Sequence, residues 1–160
     1  MPAPVRVEQS RAVPVRVERA YDVVAPVPLP RIFRRRYAVL PPIREVRDQT
    51  GGVWGTTIGQ TRTIVLADRG TMREELVDVH RPHRFGYVLS HITGSMKPLV
   101  AHAEGEWRFD PAGTGTRVTW AWTLHPTSNL TAPLVGVLGR LWLGYARQAL
   151  EEVEAVLVDA

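Results

Sequence analysis

Two charged side chains set into apolar rows carry the most chemistry in this 160-residue chain. In "IGQTRTIVLA", Ile58, Gln60, Arg62, Ile64 and Leu66 share one face of an extended strand, because alternate residues point the same way. A two-residue turn at Arg69–Gly70 pairs Leu66 with Arg73, Ile64 with Glu75 and Arg62 with Val77, which puts Arg62 and Glu75 diagonally on one face. On a concave face they form a partly buried ion pair, since an unpaired buried charge is costly. Such a pair could orient a ligand carbonyl, phenol or carboxylate. It could equally brace a cavity mouth, or stay solvated if the face is the outer one. In "RFGYVLSHI", Phe85, Tyr87, Leu89 and His91 share a face, and His91 with Tyr87 would supply acid/base chemistry there. The turn at Arg81–Pro82 decides which face that is.

Aromatic residues form a second constellation. "TRVTWAWTLHP" holds two of the five tryptophans, and Val118, Trp120, Trp122 and Leu124 make one continuous apolar row. A hairpin closed by "PAGTG" sets Phe109 opposite Val118, Trp107 opposite Trp120, and Gly105 and Ala103 opposite Trp122 and Leu124. Small residues across from an indole leave room that a tight core would fill. The row is therefore either plain sheet core or the wall of a cavity that Leu138, Trp142 and Tyr145 approach from the other side.

The remaining signals mostly exclude. His80 and His83 flank a proline turn in "HRPH"; two ligands without a third make a weak metal site, and surface turn residues are the preferred reading. His125 falls on the side opposite the tryptophans, and His102 faces solvent with Glu104 and Glu106. No phosphate-binding glycine loop, dinucleotide fingerprint, nucleophile elbow or zinc signature is present, so neither cofactor nor metal is expected. The absence of cysteine excludes disulfides and thiolate chemistry and suits a cytoplasmic location. The net charge of +4 is spread along the chain, with "RIFRRR" the single dense run, which argues against nucleic acid and leaves an anionic-lipid contact as a minor reading. No run of about 18 apolar residues is present, so stable membrane insertion is not expected, and no secretory h-region opens the chain. A homodimer is left open.

The elements that must position these residues follow from periodicity. "PVRVE" occurs at residues 4–8 and 14–18; the first copy reads as part of a flexible leader, 1–13, and the second opens a strand over Val15–Val24, at the start of a single domain, 14–160. A proline-rich segment then admits a short helix in "RIFRRRYAV". Six strands follow, in "IREVRDQ", "IGQTRTIVLA", "MREELVDVH", "RFGYVLSHI", "LVAHAEGEWRFD" and "TRVTWAWTLHP". After Ser128 the period changes: Leu134, Leu138, Leu141, Tyr145, Ala149, Val153 and Val156 recur at three- and four-residue steps, predicting an amphipathic helix of roughly 40 Å. Ser128, Asn129 or Thr131 can cap it, with Pro133 in the first turn. Gly136, Gly139 and Gly144 thin this helix where it meets the sheet or a ligand, unless they are merely tolerated. A long antiparallel meander with one helix to cover it must curl around that helix, giving an α+β architecture with a cavity between the layers.

"IGQTRTIVLADRGTMREELVDVHRPHRFGYVL" and "GEWRFDPAGTGTRVTW" resemble the polyketide cyclase/dehydrase-like branch of the START/Bet v 1-like (SRPBCC) superfamily. The resemblance runs from about Val15 to Leu157 and departs from the usual pattern at "PLPRIFRRRYAVLPP", which lacks an early tryptophan. It implies a helix-grip fold, a curved sheet of about seven strands around a long C-terminal helix, with a deep cavity for hydrophobic or aromatic molecules. The expected function is binding of a lipid- or polyketide-like molecule by Arg62, Glu75, Tyr87, His91, Trp107, Trp120, Trp122, Leu138, Trp142 and Tyr145. An aromatase/cyclase that catalyses aldol cyclisation or dehydration is the alternative, with Arg62, Glu75, Tyr87 and His91 as its only catalytic candidates.

Overall fold

The computed structural model describes residues 2–159. Alternation of apolar and polar side chains builds seven strands: β1 (Val5–Val13), β2 (Ile43–Arg47), β3 (Thr61–Leu66), β4 (Thr71–His80), β5 (Arg84–Ser90), β6 (Val100–Ala112) and β7 (Gly115–Pro126). They form one antiparallel sheet in the order β1-β7-β6-β5-β4-β3-β2. Helices α1 (Val17–Val24) and α2 (Leu29–Ile32) separate β1 from β2, and α3 (Ala132–Asp159) ends the chain. The curved sheet, the long final helix and the six strands after the proline-rich segment are as the sequence predicts.

The N-terminal elements differ from expectation. Residues 5–13 are no leader: they pair with β7 from Val5↔Leu124 to Val13↔Thr116. Nor is Val15–Val24 a strand. Read at helical spacing, Val17, Ala20, Tyr21 and Val24 fall on one stripe, and all four are buried under α1. The two "PVRVE" copies thus enter different elements, because a pentapeptide is too short to carry a period of its own. Residues further along decide its conformation.

α3 lies across the concave face. Thr131 and Ser128 cross-bond at its start, each backbone N–H donating to the other's hydroxyl, and Pro133 occupies the first turn. Its buried face includes Val135, Leu138, Trp142, Ala146, Ala149, Leu150, Val153 and Leu157. That face is rotated from the predicted one at its start, where Leu134 is exposed. Two of its glycines have defined partners. A Cβ at Gly139 would press on Val5 and Val7 of β1, and one at Gly144 would overlap the Tyr37 ring. The helix is thin there for protein neighbours, not for a ligand.

The basic run is also used internally. Arg34 Nε donates to Glu152 Oε1 at 2.9 Å, and Arg35 donates to Glu151 Oε1 at 2.7 Å and to the Gln148 carbonyl at 3.0 Å. These bonds pin the segment after α2 onto α3, so both residues have an internal structural use.

Removing residues 1–13 would expose one edge of β7 and uncover Gly139 of α3. The truncated chain is expected to lose its cooperative thermal transition by far-ultraviolet circular dichroism. Retention of the full-length transition would show that β1 is dispensable.

Candidate functional site

The β6–β7 hairpin fixes the site's back wall. A two-residue turn at Gly113–Thr114 joins the strands, with Gly113 at φ +60°, where glycine carries no Cβ penalty. The resulting register pairs Phe109 with Val118, Trp107 with Trp120, Gly105 with Trp122 and Ala103 with Leu124. Trp107 and Trp120 stack at 5.5 Å, and Trp122 meets Trp120 edge-on at the same distance. From α3, Trp142 reaches both, 4.6 Å from Trp120 and 5.9 Å from Trp122.

The gap expected in front of Gly105 is taken by Tyr87 of β5. A Cβ at Gly105 would collide with the Tyr87 ring. The Tyr87 hydroxyl accepts from Trp120 Nε1 at 2.8 Å and from Trp122 Nε1 at 2.9 Å. Both lone pairs of that oxygen are then used, and its own proton has no acceptor among the described residues. Burial pushes the phenol's pKa well above its ordinary value, so Tyr87 is a neutral donor and not a base. Trp142 Nε1 is likewise buried without a partner among the described residues. Buried polar groups are seldom left in that state.

Unfilled space of about 70 Å³ remains between the sheet and α3. One water needs about 10–15 Å³, and an engineered apolar cavity of about 150 Å³ holds benzene. Arg62, Tyr87, Trp107, Trp120, Trp122, Leu138, Trp142 and Tyr145 all line this space, together with aliphatic residues from β2 to β5. Phe33, just after α2, closes it. Its ring lies 4.9 Å from Trp120 and stacks on Tyr145 at 5.6 Å, while the Tyr145 hydroxyl donates to the Pro41 carbonyl at 2.9 Å.

Two expected residues are absent from the cavity. The β3–β4 turn is longer than two residues: Val65 pairs with Thr71, and the Asp68 carboxylate accepts from the Gly70 N–H at 2.9 Å. Arg62 consequently faces Glu74 rather than Val77, a three-residue displacement that inverts β4. Glu74 is inside and Glu75 is exposed. His91 fails for another reason. β5 ends at Ser90, and His91 turns out of the strand at φ +50° to sit exposed beside the Ser90 hydroxyl.

The true ion pair is deeply buried. Arg62 Nε donates to Glu74 Oε1 at 2.6 Å, with the side chains 5% and 3% exposed. The guanidinium also lies 3.9 Å over the Trp54 ring. Burial raises the Glu74 pKa, and the charge and hydrogen bond of Arg62 act against that rise. Gln60, which the strand pattern puts in the same row, instead holds the preceding loop. Its Oε1 accepts from the N–H groups of Gly55, Thr56 and Thr57, and its Nε2 donates to the Gly51 and Val53 carbonyls. That loop delivers Trp54. Nothing in the strand pattern marks Glu74, Trp54 or Phe33; the inward-facing charge of Arg62 signals only that a carboxylate partner is needed.

Removing one partner of a buried pair strands the other charge, at a cost of about 3–5 kcal/mol. Arg62→Met is expected to lose stability of that order in urea unfolding, and the double variant Arg62→Met/Glu74→Leu to regain most of it. Additive losses in the double variant would contradict the pairing.

A family model described as polyketide cyclase/dehydrase and lipid transport matches residues 4–158. Solved structures similar in fold include ginseng major latex-like protein 151 from Panax ginseng, with TM-score 0.71, 14% identity, and 96% of this chain and 97% of that one covered. The protein TTHA0849 from Thermus thermophilus gives TM-score 0.70 at 16% identity, covering 97% and 98%. Ara h 8.0201 gives TM-score 0.65 at 11% identity, covering 99% and 100%. These likenesses establish the Bet v 1-like fold. A comparison with curated protein sequences finds no significant match. No helix among the described residues is long and apolar enough to cross a membrane.

Proposed function

The chain belongs to the polyketide cyclase/dehydrase and lipid transport family, and we propose that it binds an apolar, aromatic or lipid-like molecule bearing an acceptor oxygen between the sheet and α3. Family membership supports hydrophobic small-molecule binding in general. The observation that carries the finer reading is the pair of donors in an apolar wall: the free Tyr87 O–H and the unpartnered Trp142 Nε1–H. A ketone, ester or phenol oxygen would satisfy them, while the indoles and Leu138 pack the ligand's apolar body.

In its present form the space is smaller than a fused-ring ligand requires. The group best placed to yield is the Phe33 ring, by rotation of its side chain, because Leu29 and Ile43 hold its backbone. Arg62 and Glu74 act as a fixed polar corner. Cyclase or dehydrase chemistry would require a base in the cavity. Among the described residues, Glu74 is the only carboxylate lining it, and that group is engaged by Arg62. Binding without turnover is therefore the preferred reading.

Tryptophan fluorescence quenching by 2-acetylnaphthalene and by 2-ethylnaphthalene tests this. A single net hydrogen bond predicts about twofold to tenfold tighter binding of the ketone. Trp142→Phe, which keeps a ring and removes the N–H, is expected to abolish most of that preference. Equal affinities in the unmodified protein, or no saturable binding of either probe, would overturn the proposal.

A further inference from the structure

The convex face carries a second cluster, independent of the cavity. A bulge in β6 between Val100 and His102 sets His102 directly across from His125 of β7. Their neighbours Ala103 and Leu124 are fully buried on the concave side, so both imidazoles point outward. The two rings stack at 4.1 Å with planes 12° apart. Glu104, two residues beyond His102 on the same face, brings its Oε1 to 2.5 Å from His125 Nε2. One ligand atom from each residue lies within 4.8 Å of the other two.

We propose that His102, Glu104 and His125 form a binding site for a divalent transition-metal ion such as Zn²⁺. Two imidazoles and a carboxylate suit zinc, copper or nickel, whereas magnesium and calcium prefer all-oxygen shells. Zinc–ligand bonds of about 2.0–2.2 Å put neighbouring donors of a tetrahedral centre roughly 3.4 Å apart. Side-chain rotation alone closes the remaining distance, because the paired strands already fix the backbone and His102 and Glu104 are exposed. The Glu104 and His125 side chains are 53% and 28% exposed, which leaves the outer coordination positions open to water or a further ligand. The proline-turn histidines are a poorer site: among the described residues they gather no group of three ligand atoms as close as this one. An occupied site would tie β6 to β7 directly behind Leu124, which lines the cavity.

The test uses the full, untagged chain, freed of metal with a chelator and titrated with zinc chloride by calorimetry. One equivalent is expected to bind and to raise the melting temperature. His102→Ala, His125→Ala and Glu104→Gln are each expected to weaken binding by about tenfold or more, with metal-free melting temperatures close to that of the parent. Cobalt(II) should give visible ligand-field bands that the same variants lose. No saturable binding, or binding abolished by His80→Ala/His83→Ala and untouched by the three variants, would overturn the assignment.

Discussion

One oxygen holds the site's wall together. Trp120 and Trp122 stand two residues apart on β7, so both indoles face inward and both N–H groups must be satisfied away from water. Tyr87 meets both demands with a single hydroxyl. It reaches them only because β6, the strand between, carries glycine at position 105, where any side chain would occupy the tyrosine's place. Three adjacent strands are thereby coupled through one phenol. The wall can be aromatic, rigid and nearly free of unsatisfied groups while still offering one proton to the cavity.

Beside this wall, Arg62 and Glu74 serve a different end. Buried ion pairs seldom add stability over well-packed apolar residues, though breaking one is expensive. Trp54 shields the guanidinium, and Gln60 holds the loop that brings Trp54 there. So much structure around one pair fits a role in defining the shape and polarity of a cavity corner. The sheet's two faces divide the remaining chemistry: neutral donors and aromatic rings inside, paired charges and exposed histidines outside. Among the latter, Arg108 bridges Glu8 and Glu106, and Arg84 pairs with Asp78. Such exposed pairs contribute little individually, but they keep the outer face polar.

What could be read in the sequence depended on turn length. The β6–β7 hairpin has a two-residue turn whose glycine marks it, so every cross-strand pair of the tryptophan row follows from counting. The β3–β4 turn also contains a glycine, at Gly70, yet it closes three residues differently, and strand periodicity converts that error into the wrong carboxylate. His91 shows the limit at strand ends: alternation predicts its side only while the chain stays extended, and a positive φ ends it. At the N-terminus, one of two identical pentapeptides joins a strand and the other runs through a bend into the start of a helix, because long-range pairing with β7 and burial against the core outweigh local composition. The covering aromatic, Phe33, sits in irregular chain where no period exists to be read.

In the proposed complex Trp142 offers its indole N–H to a ligand oxygen while Trp120 and Trp122 keep theirs on Tyr87. The most direct measurement is the ¹H–¹⁵N spectrum of the five indole groups with saturating 2-acetylnaphthalene, compared with 2-ethylnaphthalene to remove the ring-current contribution. A ketone-specific downfield shift of the Trp142 resonance is expected, with Trp120 and Trp122 unchanged between the two complexes. Identical Trp142 positions in both complexes, or a ketone-specific shift confined to the other indoles, would contradict it.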